Sequence, residues 1–244
     1  MCGRFALHAT SQELANGTAC AKLAGFGEEA RYNIAPGQWI IVVRPEKNQR
    51  VPFLAQWGLI PTWAKNAKEG PHLINARAEG IDTKPAFRSG LLHGRCLIPA
   101  SGFYEWKTVG LQKQPFFIRP PGGEGILVFA GLLSVWADSK GELPTCTIVT
   151  TTPNDLMAQI HNRMPVILAP QAQEAWLDTE NRHATELLRP FAAEGMEAYS
   201  VGSSVGNPRN NGPELIWPVD YPEWSEIASE SRSVQLVLCL CELP

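Results

Sequence analysis

The chain has 244 residues, of which 44% are hydrophobic and 18% charged, with a formal net charge of −3. That length and balance describe a soluble globular protein with enough chain to bury a sizeable core, as one large domain or two small ones. They exclude a membrane helix, because no run approaches the roughly 18 apolar residues that one needs, and a uniformly basic nucleic-acid protein.

The charge is unevenly spread. Residues 220–244 carry Asp220, Glu223, Glu226, Glu230 and Glu242 against Arg232, whereas 61–115 carry eight bases and four acids. A basic face is therefore compatible with an acidic total. The six cysteines form no CxxC pair and the five histidines no zinc-type spacing. Reduced thiols in a cytoplasmic compartment are expected, with no metal and no cofactor. The first residues lack the charged-then-apolar layout of a secretion signal.

In chain order, the pattern predicts a short helix over 11–23 with Ser11 as its cap. A loop over 31–37 closes on Pro36-Gly37. The β-prone runs 39–43 and 51–59 make a hairpin across 45–50. Further strands are expected over 96–98, 103–107, 115–119, 126–132 and 145–151. In 103–107 the alternation puts Phe103 and Glu105 on one face. Thr152 reads as a cap with Pro153 at the first helical position, so a helix over 154–160 delivers His161. A short strand over 165–168 and helices over 171–177 and 182–191 follow. Many short strands joined by turns predict an α+β fold, a largely antiparallel sheet or barrel with peripheral helices. The domain is expected over 1–219. The acidic, Ser-rich stretch 220–244 reads as a C-terminal extension of unknown role.

The candidate chemistry starts at Cys2. Its side chain is small, so removal of Met1 would leave a free α-amine and a thiol on one residue. Their reference pKa values are about 7.7–8.0 and 8.5, so each is partly nucleophilic at neutral pH. An aldehyde meeting the pair would form an imine and then a thiazolidine ring. A thiolate alone would instead attack an amide or ester. Four polar residues sit in segments that otherwise read as core or tight turn: Asn75, Arg77, Glu105 and His161. A glutamate among aromatics keeps a proton to donate, a histidine shuttles protons, an amide holds an oxygen, and arginines grip phosphates. Exposed aromatics such as Trp63 stack on unpaired bases. Each residue also has an ordinary structural use, and three readings stay open: covalent capture of an aldehyde, an N-terminal-nucleophile amidotransferase, and a non-covalent single-stranded DNA binder.

Several segments together resemble the SRAP (SOS response-associated peptidase) family. They are Met1-Cys2-Gly3-Arg4-Phe5, Arg31-Tyr32-Asn33-Ile34-Ala35-Pro36, Leu73-Ile74-Asn75-Ala76-Arg77-Ala78-Glu79, the run 95–107, the run 147–151, Ile160-His161-Asn162-Arg163-Met164-Pro165 and the run 207–214. They occur in the family's order. The resemblance implies covalent capture of abasic sites in single-stranded DNA at replication forks, by a cytoplasmic monomer that associates with the nucleoid through DNA. It implies that Cys2 forms the thiazolidine, that Asn75 positions it, that Glu105 is the acid/base and that His161 transfers protons. It places Arg4, Asn33, Trp63, Arg77, Thr150 and Arg163 along the DNA channel, and it implies self-removal of Met1. Two positions depart from the pattern: Asn162 stands where an aspartate is expected, and Gly206 where an asparagine is.

Overall fold

The computed structural model describes residues 2–23, 29–47, 49–68, 70–139 and 141–221. The extension expected from residue 220 onward therefore lies, beyond Tyr221, outside the described residues. In chain order the strands are β1 (Phe5–Leu7), β2 (Arg31–Ile34), β3 (Trp39–Glu46), β4 (Gln49–Trp57), β5 (Asn75–Arg77), β6 (Arg95–Ala100), β7 (Gly102–Val109), β8 (Gln112–Arg119), β9 (Leu127–Asp138), β10 (Gly141–Thr151), β11 (Met164–Pro165) and β12 (Glu197–Ser200). The α-helices are α1 (Ser11–Thr18), α2 (Pro85–His93), α3 (Asp155–Ala158) and α4 (Pro170–Leu177).

The class is α+β, as expected, and its sheets are mostly antiparallel. One sheet has the order β12-β8-β7-β1-β2. The other runs β10-β4-β3-β6-β9, and β9 returns to β10, closing a five-strand barrel. The one parallel seam of the barrel is β4 on β10, at Thr145↔Gln56 and Cys146↔Trp57. Short β5 extends β10 in parallel and β11 pairs with it antiparallel. The predicted hairpin is β3–β4, in register from Trp39↔Gln56 to Glu46↔Gln49.

Four local expectations are corrected. The cap of α1 is Thr10, not Ser11: its hydroxyl accepts from Glu13 N while the Glu13 carboxylate accepts from Thr10 N, a capping box. The helix also stops at Thr18, where Ala19 turns left-handed at φ 47°. The stretch read as a loop over 31–37 begins as β2, because its backbone finds partners on β1. The helix before His161 is one turn long, and its cap is Asn154, whose Oδ1 accepts from Met157 N at 2.9 Å. Of the helix expected over 182–191 only the 3₁₀ turn Ala184–Leu187 forms.

Aromatic rings join the sheet to the barrel. Phe5 of β1 meets Trp57 of β4 and Phe129 of β9 edge-on, at centroid distances of 5.3 and 6.1 Å. Phe103 of β7 meets the same Phe129 at 5.9 Å. Such pairs add about 0.5–1.5 kcal/mol each beyond the area they bury.

The first half of β7 is buried on both faces. Phe103 belongs to the main core, and Tyr104 to a second cluster with Ala6, Phe117, Val201, Val205 and Leu215. The close approach on this strand requires Gly102, since a Cβ there would strike the Phe117 ring and sit 2.6 Å from the Ile118 carbonyl oxygen. β7 therefore carries Glu105 into the interior between the two layers.

Candidate active site

Strand pairing delivers Cys2 to Glu105. β1 lies antiparallel to β7 at Phe5↔Phe103, and Tyr104 N donates to Arg4 O at 3.0 Å. Continued toward the N-terminus, that register runs Cys2 back along the Glu105 segment. Cys2 is 0% exposed and Glu105 is 3% exposed. Burial, and then the nearby Glu105 carboxylate, push the Cys2 thiol well above its ordinary range. Burial likewise raises the Glu105 carboxyl, while the positive charge of His161 works in the opposite direction. These mutual effects put Cys2, Glu105 and His161 in one electrostatic neighbourhood.

Asn75 joins them from the barrel side. It opens β5, whose parallel register on β10 is Ile148↔Asn75 and Thr150↔Arg77. The Trp57 indole donates to Ile74 O at 2.8 Å and fixes the strand's approach. Asn75 Nδ2 donates to the carbonyl of Cys2 at 2.9 Å. Its Oδ1 is buried and has no hydrogen-bond partner among the described residues. A buried amide oxygen in that state is ready to accept from an incoming N–H or O–H.

His161 follows α3. Arg163 N donates to His161 Nδ1 at 3.1 Å, a bond that favours the Nε2–H tautomer of the neutral ring. Nδ1 also lies 3.3 Å from the Arg163 carbonyl oxygen. The Arg163 guanidinium is held in turn: Nη1 and Nη2 donate to the two Glu79 oxygens at 2.7 and 2.9 Å, and Nη2 to Thr150 O at 2.7 Å. These bonds keep the Glu79 carboxyl below the usual carboxylate range. Asn162, in the position where an aspartate was expected, faces solvent.

The remaining predicted residues divide into two groups. Arg4, Asn33, Thr150 and Arg163 are occupied internally. Arg4 Nη1 donates to Asn33 Oδ1 and to Val205 O, both at 2.7 Å. Asn33 Nδ2 donates to the carbonyls of Val205, Asn207 and Asn210 at 3.2, 3.0 and 2.9 Å, pinning the loop that contains Gly206. Thr150 is fully buried. Arg77 and Trp63 are exposed, Trp63 at 61%. The Trp63 loop is fixed by the Trp136 indole donating to Ala64 O at 2.7 Å.

Sequence reasoning gave no role to Glu79. Its signal was there, as the acid that ends the 73–79 segment inside a basic stretch. Among the described residues no three or more His, Cys, Asp or Glu side chains cluster as metal ligands, and no helix is long and apolar enough to cross a membrane.

A family model described as SOS response associated peptidase (SRAP) matches residues 1–208. "Abasic site processing protein YoqW" of Bacillus subtilis is 44% identical over 223 residues, covering 88% of this chain and 99% of that protein. "Abasic site processing protein YedK" of Escherichia coli is 34% identical over 234 residues, covering 90% of this chain and all of that protein. "Abasic site processing protein HMCES" of Gallus gallus is 33% identical over 215 residues, 77% of this chain and 63% of that protein. A crystal structure of a protein from Bacteroides thetaiotaomicron has TM-score 0.79 at 26% identity, over 90% of this chain and all of that one.

Proposed function

Since the chain belongs to the SOS response associated peptidase (SRAP) family, we propose that it processes abasic sites in single-stranded DNA by covalent capture on Cys2. Loss of Met1 turns the Cys2 nitrogen into the terminal amine. The amine adds to the aldehyde carbon of the ring-opened deoxyribose, water leaves, and an imine forms. The thiol then adds across the imine, closing a thiazolidine and returning the nitrogen to an amine.

The protons balance within the residues present. Glu105, protonated at the start, gives its proton to the departing hydroxyl as water leaves. The resulting carboxylate then takes the proton of the Cys2 thiol as sulfur bonds to carbon. The attacking amine sheds two protons: His161 relays the first to the carbonyl oxygen, which becomes the hydroxyl, and takes the second as the C=N bond forms, returning it to the nitrogen as the ring closes. Asn75 orients the Cys2 end through its carbonyl, and its open Oδ1 is available to the sugar.

The observation that carries this reading is the Asn75 hydrogen bond to the Cys2 carbonyl, which fixes the chain's first reactive residue beside a buried carboxyl. The raised thiol also favours it over amide attack, because a protonated thiol is a poor first nucleophile. Here the amine acts first and the thiol second. Arg77 supplies phosphate contact and Trp63 a stacking platform, while Arg4, Asn33, Thr150 and Arg163 shape the channel through their internal bonds. Residues 1–219 are the working unit, a monomer acting in the cytoplasm at exposed single strands such as those at replication forks. Cleavage of Met1 by the same site is part of this proposal.

The test is a denaturing gel of the protein lacking Met1 with single-stranded DNA bearing one abasic site. A heat-stable shifted band in wild type and none in Cys2→Ala is the expected result. Equal bands in both, or none in either, would overturn the reading.

A further inference from the structure

We infer that Glu79 is a positioning residue for His161, acting through Arg163; this rests on the proposed proton-transfer role of His161. Three elements meet at the contact. Glu79 follows β5, Thr150 lies on β10, and Arg163 leads into β11. Both Thr150 and Thr151 are already in register with Pro165 and Met164. The Thr150 carbonyl takes two donors, Ala78 N at 2.8 Å and Arg163 Nη2 at 2.7 Å. The Arg163 side chain is only 12% exposed, and the two-pronged Glu79 bond fills its outer edge. A guanidinium gripped at this edge and against a strand carbonyl has little freedom left.

What this immobilises is the backbone of Arg163, the part that serves the imidazole. When Nδ1 is bare, the Arg163 N–H, at 3.1 Å, donates to it; when Nδ1 is protonated, the Arg163 carbonyl, at 3.3 Å, is placed to accept. One peptide segment thus serves both protonation states without rotation of the ring. A proton-transferring histidine needs this, since a ring that turns over at each transfer loses its aim. Glu79 is itself half-exposed, so its contribution is to geometry more than to the core. The contact also gives Arg163 a use distinct from gripping a DNA phosphate.

The experiment compares Glu79→Gln, Glu79→Asp, His161→Gln and the double variant Glu79→Gln/His161→Gln with wild type, measuring crosslinking rate against abasic DNA concentration. Glu79→Gln should lower the rate at saturating DNA by about 10- to 100-fold, the cost of a misaimed reacting group, with the half-saturating DNA concentration unchanged. Glu79→Asp should recover part of that loss, and the double variant should be no slower than His161→Gln alone. Nitrogen NMR of His161 should show the Nε2–H tautomer in wild type and a mixture of tautomers in Glu79→Gln. Tighter DNA binding by Glu79→Gln at an unchanged saturating rate would overturn the proposal, making Glu79 a stand-in for a DNA phosphate. So would a variant equal to wild type in rate and in the His161 spectrum. If His161→Gln crosslinks as fast as wild type, it is the functional reading of His161 that fails. The NMR comparison then still reports whether Glu79 sets the ring.

Discussion

Two clusters of polar groups grow from neighbouring residues of the chain's start, Cys2 and Arg4, and they are built on different plans. Around Asn33 both ends of the amide are paired: Oδ1 takes Arg4, and Nδ2 serves three carbonyls of the 205–210 loop. Beside Cys2 the Asn75 amide is only half used among the described residues. Asn75 spends its Nδ2 on the Cys2 carbonyl and leaves Oδ1 without a partner among the described residues, while burial raises both the Cys2 thiol and the Glu105 carboxyl. Both sets of residues look alike in sequence, as polar letters in apolar segments. The two amides differ: Asn33 is paired at both ends, whereas Asn75 keeps a buried oxygen open among the described residues, at a cost to stability.

The sharpest way to break this comparison is at Cys2. Cys2→Ala should abolish the heat-stable adduct and leave salt-sensitive DNA binding in place on a filter-binding assay; an adduct that persists would move the chemistry elsewhere. Next comes Glu105→Gln, expected to slow capture about 10²–10⁴-fold in single-turnover assays. The same variant sharpens the contrast through stability. Burial raises the Glu105 carboxyl, so the folded state binds that proton more tightly than the unfolded chain. The associated stability is complete below the ordinary carboxylate range and is lost as pH rises through the raised folded value. Glu105→Gln should therefore melt above wild type at neutral pH, and the gain should vanish in acid.

Asn33→Ala should behave in the reverse way. Stranding buried carbonyls and Arg4 should cost roughly 1–3 kcal/mol in urea unfolding, while the protein that remains folded keeps the wild-type crosslinking rate at saturating DNA and loses only DNA affinity. The smallest effect belongs to the surface. Trp63→Ala should weaken single-stranded DNA binding by about 1–3 kcal/mol, the scale of one lost base stack, with the saturating rate unchanged.

Much of the frame is legible in the residues themselves. The β-prone runs of β3 and β4, and the β-branched run of β10, announce strands through residue type. Glu105 is readable too, since a lone acid between Tyr104 and Trp106 on a strand must face one core or the other. The misplaced parts are those where tertiary contacts outvote local pattern. The periodic leucines over 182–191 yield a single 3₁₀ turn before Pro190, since so short a segment does not repay helix nucleation. β2 exists because β1 lies beside it. Helix α2 carries its own start signal, Pro85 in the first turn, and buries Phe87 and Leu91 four residues apart. The role of Glu79 was out of reach, because its partner is 84 positions away and only the β5–β10–β11 pairing brings the two together.

The central claim is that the amine and thiol of one residue close a ring on the lesion, and intact-mass spectrometry of the adduct, before and after borohydride, tests it most directly. The account predicts a mass equal to the protein without Met1 plus the abasic DNA, less one water, and unchanged by the reductant, because a thiazolidine offers no imine to reduce. An adduct that retains Met1, one that loses no water, or one that gains two hydrogens on reduction would contradict it.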